Sequence, residues 1–206
     1  MKIVTALLII FSVSVFAKDF EWDTMFSKNI GKLDNLYYYN EKEGMLLESK
    51  WGFLLTWNGG VDWRNELIDS TYKHNQLFLV KPKYAFVVSE KENEEGKKTG
   101  ALFATGTKGF QWQKSQQEFY DPLVDLYFFD VMNGVVLDNK DSLFVTSDAG
   151  QTFEFLYEFD EKINEFAFSE GTFWAAGNNG KVFSSLDSGK TWNSKPVQTT
   201  ENILDI

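Results

Sequence analysis

The stretch Ser185-Leu-Asp-Ser-Gly-Lys-Thr-Trp192 decides how this chain is read, because it recurs. It has the form hydroxyl-x-Asp-x-Gly-x-Thr-aromatic, and the same eight-residue frame returns as Thr146-Ser-Asp-Ala-Gly-Gln-Thr-Phe153. Looser copies stand at 56–63 (TWNGGVDW) and 105–112 (TGTKGFQW), each keeping the opening hydroxyl, the glycine at the fifth position and the closing aromatic. These residue types describe a hairpin tip: a glycine free to take positive φ, and a short side chain that hydrogen-bonds the loop N–H groups. The aromatic then folds back over the tip as the next strand begins. The structural candidates are Thr56, Asn58, Gly60 and Trp63; Thr105, Gly109 and Trp112; Thr146, Asp148, Gly150, Thr152 and Phe153; and Ser185, Asp187, Gly189, Thr191 and Trp192.

A second period is independent of the tip. Units open on a short apolar-x-(Asp/Asn/Glu)-apolar strand: Leu33-Asp-Asn-Leu36, Leu123-Val-Asp-Leu126 and Ile163-Asn-Glu-Phe166. From the last residue of that strand to the tip hydroxyl is twenty residues in the first and third units and nineteen in the fourth. The second unit, counted from Leu77, is longer, and its excess is the charged run Lys91-Glu-Asn-Glu-Glu-Gly-Lys-Lys98. That run is expected to extend the hairpin between the unit's second and third strands.

Each unit divides into four strands; in the third they are expected at 124–129, 134–137, 142–146 and 152–159. Apolar residues fall on both faces there (Leu126, Tyr127, Phe128, Phe129), as in strands covered on two sides. Repeats of this length and character are the signature of a propeller. The expected fold is all-β, a β-propeller of four-stranded antiparallel blades with about four blades present and the ring incomplete. Its units are 33–73, 74–122, 123–162 and 163–202, with Ile203-Leu-Asp-Ile206 starting a further blade. Phe20 to Phe26 reads as a fourth strand without a tip ahead of it. The alternative is a compact four-bladed ring in which 203–206 pairs with an N-terminal strand.

The eight-residue frame resembles the Asp box, or bacterial neuraminidase repeat, of propellers such as sialidases and sortilins. Its surroundings over 173–192, FWAAGNNGKVFSSLDSGKTW, look like the strand pair ahead of the box in propellers related to photosystem II assembly factors. The likeness extends over 163–192, less closely over 123–153, and weakens in the first two copies, where Asn58 and Thr107 replace the Asp. It implies a scaffold that binds another protein, with the boxes on the rim away from any active site.

Composition narrows the partners. Lys2, the apolar run Ile3 to Phe16 and the small residue Ala17 read as a signal peptide over 1–17, too short to span a bilayer. The remainder, 18–206, is expected outside the cytoplasm, periplasmic or secreted, with no membrane insertion after cleavage. With 30 acidic residues against 20 basic and a net charge of −10, nucleic acid is not an expected partner. The chain has no Cys, so packing rather than disulfides must hold an exported fold.

Catalytic signals are sparse. The single His, His74, has no Cys and no Gly-x-Ser-x-Gly elbow to accompany it, and it reads as a surface or strand-end residue. Sialidases clamp their substrate carboxylate with three arginines, and this chain has only Arg64. Asp138-Asn-Lys-Asp141 reads as a two-residue hairpin turn rather than a calcium loop. Tyr37, Tyr38, Tyr39, Trp51, Tyr84 and Trp174 could form a stacking platform, although packing between blades explains them more simply. No catalytic, cofactor-binding or metal residue is assigned. The expected function is a non-enzymatic exported scaffold for an unknown protein partner; the alternative is a glycan-binding or glycoside hydrolase propeller.

Overall fold

A computed structural model describes residues 33–48, 52–195 and 197–206. The signal peptide, the strand at 20–26 and Trp51 lie outside these residues. Sixteen strands form four antiparallel meanders, each in chain order: β1 (Leu33–Tyr38), β2 (Gly44–Glu48), β3 (Gly52–Thr56), β4 (Arg64–Glu66); β5 (Lys73–Lys81), β6 (Tyr84–Glu92), β7 (Lys98–Thr105), β8 (Gln113–Lys114); β9 (Leu123–Phe128), β10 (Gly134–Asp138), β11 (Ser142–Thr146), β12 (Glu154–Glu158); β13 (Ile163–Ser169), β14 (Thr172–Gly177), β15 (Val182–Ser185), β16 (Asn193–Lys195). The described residues form a β-propeller array of about four blades.

Strands on both sides of each blade interface are apolar on both faces, and β2, β3 and β10 are buried along their whole length. One core lies between the first and second blades around Met45, Phe53, Leu77 and Phe103. A second joins blades two and three around Phe86, Leu102, Leu126 and Phe128. The third joins blades three and four around Leu137, Leu143, Phe159 and Phe173. Among the described residues no such core joins the fourth blade to the first, so the array is open.

The opening strands meet along the axis because of one irregularity. Near the start of β5, β9 and β13 one residue is left out of the ladder, Asn75, Val124 and Asn164 respectively. This is a β-bulge, which frees a side chain and turns the strand. Asn75 Nδ2 then donates to Leu123 O of the next blade (2.9 Å), and Asn164 Nδ2 donates to Ile203 O (3.0 Å). Ile203 therefore stands against the fourth blade as Leu123 stands against the second, held also by its own N–H on Gly177 O (3.0 Å). Residues 203–206 nevertheless form no strand.

The charged run of the second unit forms the extended end of the β6–β7 hairpin, with Glu92 paired to Lys98. Asn93 Oδ1 closes its turn by accepting from the N–H groups of Glu95 and Lys97.

Candidate functional site

The four hairpin tips share one hydrogen-bond pattern. The opening hydroxyl accepts from the N–H of the fifth residue in every copy: Gly60 to Thr56 (2.8 Å), Gly109 to Thr105 (3.1 Å), Gly150 to Thr146 (3.0 Å) and Gly189 to Ser185 (2.9 Å). The third residue accepts from the N–H of the seventh, Thr152 to Asp148 (3.0 Å) and Thr191 to Asp187 (2.9 Å). Asn58 and Thr107 do the same for Asp62 (2.9 Å) and Gln111 (2.8 Å). In the first copy the donor and acceptor are exchanged: Asn58 Nδ2 donates to Asp62 Oδ2 (2.8 Å), where Thr152 and Thr191 donate to Asp148 and Asp187.

Fourth and fifth positions are both left-handed in all four tips, and the fifth is always glycine. There the backbone also comes close to the preceding blade: a Cβ on Gly150 would lie 2.2 Å from Leu102, and one on Gly109 2.7 Å from the Phe53 ring. Trp112, Phe153 and Trp192 close their tips by packing on those same blade interfaces. Trp63 stands edge-on to Tyr38, and its Nε1 donates to Gly60 O (2.9 Å).

These bonds occupy the tip carboxylates. Asp187 is held down at about 2 by bonds from Thr191 first and then Ser185. Desolvation pushes Asp148 upward, but bonds from Thr152, Thr146 and Gln151 outweigh it and leave it below its usual value. Asp148→Ala should therefore destabilise the third blade by about 1 kcal/mol, one charge-assisted hydrogen-bond set at a partly exposed site. Asp148→Asn should cost less, since Asn58 serves the first tip. Urea unfolding midpoints of the two variants check this; equal losses would contradict it.

Two sequence expectations need correcting. His74 does lie at a strand end, the start of β5, but not at the surface: it is 5% exposed, its Nδ1 2.8 Å from Ser89 Oγ. Polar neighbours in sequence disguise a side chain that faces inward between strands. The turn after β10 holds three residues, not two, with Asp138 Oδ1 accepting from Lys140 N and Ser142 N and Asp141 at φ +63°. Of the aromatics that could have formed a platform, Tyr37 and Tyr39 instead pack against the first core, in line with the simpler reading, while Tyr38 and Tyr84 stay partly exposed.

Two regions remain for function. At the axis, Asp125 is buried with Oδ1 accepting from Leu126 N (2.7 Å) and Oδ2 unpartnered among the described residues. Burial first, then Glu165, raises its pKa well above the usual value; Glu165 is itself raised by burial and by Asp205. Such a pair takes up protons more readily than free carboxylates, but Asp125 is closed to solvent, whereas two-carboxylate glycoside hydrolysis needs both groups at the substrate. Among the described residues no group of three or more His, Cys, Asp or Glu is arranged to hold a metal ion.

The other region is the row of clefts between neighbouring tips. Each is built from the first and second positions of one tip and the fourth and sixth of the next. The third cleft uses Thr146, Ser147, Ser188 and Lys190; the second uses Thr105, Gly106, Ala149 and Gln151. In the first, of about 240 Å³, those places hold Thr56, Trp57, Lys108 and Phe110. Trp57 is 52% and Phe110 60% exposed. Tyr39, Leu55, Glu43 and Arg64 complete the walls. Lys108 Nζ pairs with Glu43 Oε1 (2.7 Å) across the blade boundary, and Arg64 pairs with Glu66 while lying over the Phe110 ring at 5.1 Å. Bonds from Lys108 first, then Asn40, hold Glu43 below its usual pKa. Sequence reasoning missed Trp57, Phe110 and Lys108: they occupy the frame's variable positions, and only once the tips are paired into clefts is it visible that the corresponding places of the other two clefts carry small or polar residues.

Fold and cleft together define a propeller with a distinctive inter-blade recess. No protein-family model matches the chain. No curated protein matches it. Among solved structures it is similar to YCF48 from Cyanidioschyzon merolae, with a TM-score of 0.67 and 11% identity over 88% of this chain and 61% of that one. It is also similar to YCF48 bound to D1 peptide (TM-score 0.61, 13% identity, 80% of this chain and 54% of that one). A GH74 enzyme from Niastella koreensis matches with a TM-score of 0.60 at 12% identity, over 79% of this chain and 30% of that one. The chain thus spans less than two thirds of the length of each, and identities this low show the fold alone. Among the described residues no helix is long and apolar enough to cross a membrane.

Proposed function

We propose that this chain is an exported, non-enzymatic scaffold of the Asp-box propeller type, akin to the photosystem II assembly factor-like group, and that it binds another protein. One observation carries the reading. The three clefts have the same backbone, and two of them show that small or polar residues satisfy it. In the first cleft Trp57 and Phe110 instead expose their rings beside Arg64 and Tyr39. Trp, Tyr, Phe and Arg around a recess are the residues that dominate protein interfaces. The solved YCF48 structure with a bound peptide supports the reading by likeness of fold. The 1–17 segment supports export through its sequence alone.

The test uses the repeat as its own control. A photo-crosslinking amino acid placed at position 57 is expected to give one discrete adduct in the cells that export the protein; the same residue at the equivalent position 147 should give none. The identified partner, purified, should then bind about tenfold or more weakly to Trp57→Ser/Phe110→Gln, a loss typical of interface anchors. Those replacements copy Ser147 and Gln151, so stability should change by no more than about 0.5 kcal/mol. Adducts of equal yield at both positions, or unchanged binding by the double variant, would sink the proposal.

A further inference from the structure

Besides its exposed rings the first cleft has a one-sided polar character, and the two together specify an occupant. The acceptor side chains in its walls are already in use. Glu43 takes Lys108 on Oε1 (2.7 Å) and Asn40 Nδ2 on Oε2 (2.9 Å). Thr56 Oγ1 accepts from Gly60 N (2.8 Å) while donating to Asn58 Oδ1 (3.2 Å). Tyr39 offers the cleft only its ring, because its hydroxyl is closed to solvent.

Donors, by contrast, are left over. Trp63 and Trp192 each spend Nε1 on a carbonyl of their own tip, Gly60 O and Gly189 O. Trp57 makes no such bond among the described residues and stands 52% exposed. Lys108 carries three N–H donors and Arg64 five, more than Glu43 and Glu66 take up. Since each of these cations faces a carboxylate, the walls hold no uncompensated charge and suit a neutral occupant.

The complementary chemistry is an apolar group that brings acceptors without donors. Among peptide segments that is proline: its ring is apolar, its nitrogen has no hydrogen, and in the polyproline II helix the carbonyls have no internal partner. An α-helix has spent its carbonyls on itself, and an ordinary extended strand brings an N–H for every C=O. A sugar brings hydroxyls that need acceptors as well as donors.

We propose that the first cleft receives a proline-rich segment of the partner protein in the polyproline II conformation, its rings against Trp57 and Phe110 and its carbonyls accepting from Trp57 Nε1 and the remaining N–H groups of Arg64 and Lys108. This rests on the protein-binding reading and gives that partner a chemistry. At about 240 Å³ the cleft is smaller than the pockets of drug-sized ligands, about 300–1,000 Å³, and fits a ring or two of a longer segment. Aromatic-lined grooves take such segments because the helix is preformed and little entropy is lost on docking. A second copy is not the source, since the three prolines of this chain, Pro82, Pro122 and Pro196, stand apart in sequence.

The assignment is tested by ligand-observed NMR titration of the full chain with an N-acetylated hexaproline amide, an N-acetylated (Ala-Ser)3 amide of the same length and methyl β-glucoside. The hexaproline should saturate, and the Ala-Ser peptide should bind about tenfold or more weakly. Trp57→Phe keeps a ring and removes the N–H, and should weaken hexaproline about three- to tenfold, the value of one hydrogen bond. Trp57→Ser/Phe110→Gln should abolish saturation. Equal binding of the two peptides, saturation by the glucoside alone, no saturation by any of the three, or unchanged hexaproline binding by Trp57→Phe overturns the polyproline assignment. Should that happen while the crosslinked partner still depends on Trp57 and Phe110, the scaffold reading stands without it. If partner binding ignores Trp57 and Phe110, the scaffold reading itself falls.

Discussion

Phe173→Ala should lower stability by about 3–5 kcal/mol, the cost of deleting a fully buried phenyl ring. At roughly 2–4 °C per kcal/mol for a domain of this size, the melting temperature should fall by about 10 °C. Phe173 has no exposed surface, and its ring centroid lies 5.1–5.5 Å from those of Tyr127, Phe129, Phe166 and Trp192. It pairs with Ser185, the register at which Gly44, Ala85 and Gly134 face their own tip hydroxyls. In those blades other side chains fill the space; here the bulk comes from Phe173, so truncation leaves a cavity.

The damage should be local. Among the described residues each blade has its cores with its chain neighbours, an arrangement in which stability is close to a sum of nearest-neighbour terms. Amide hydrogen exchange of Phe173→Ala should therefore lose protection first in β13–β16, while β2, β3, β6 and β7 keep theirs. Loss spread evenly over all four blades would show that the array unfolds as one unit, and the open-array account would fail.

That locality also explains what could be read from the chain alone. The tips were legible because every requirement on them is local: hydroxyl, short acceptor, left-handed glycine and aromatic all act within eight residues. Even Asn58 and Thr107 keep the pattern, since what the turn needs is an oxygen within reach of the seventh residue's N–H. The extended β6–β7 hairpin was legible for a similar reason, as a charged insertion against a fixed period. The bulges at Asn75 and Asn164 were not, because the bonds they free, to Leu123 and Ile203, reach 48 and 39 residues along the chain. The first cleft was hidden more deeply. Its walls come from two tips and a strand end, residues far apart in the chain.

His74 is the other residue whose neighbours in sequence misled, and it has the second large consequence. Between pH 6.5 and pH 4 it should cost the protein roughly 3 kcal/mol of stability. Burial depresses its pKa to about 4, outweighing the opposite pull of Asp69. It is nearly solvent-free beside Ser89, with its ring edge-on to Phe103 at 6.0 Å. The folded protein therefore holds a neutral imidazole where the unfolded chain would take up a proton below about pH 6.5. A depressed pKa of this kind gives stability that is complete above 6.5 and is lost as pH falls toward 4. Asp125 and Glu165 act in the reverse sense: their raised pKa values mean that the folded state binds protons first, so stability rises as pH falls through their folded values. The raw pH profile mixes the two trends, and the difference between wild type and His74→Gln isolates one of them. That difference should be flat above pH 7 and change steadily below it, in the direction of a variant less sensitive to acid. Because the chain has one histidine, the same point can be read directly from the imidazole resonances. A midpoint near 4 is expected; a midpoint at or above 6 would mean that the ring meets water, and that the second blade is not closed around it.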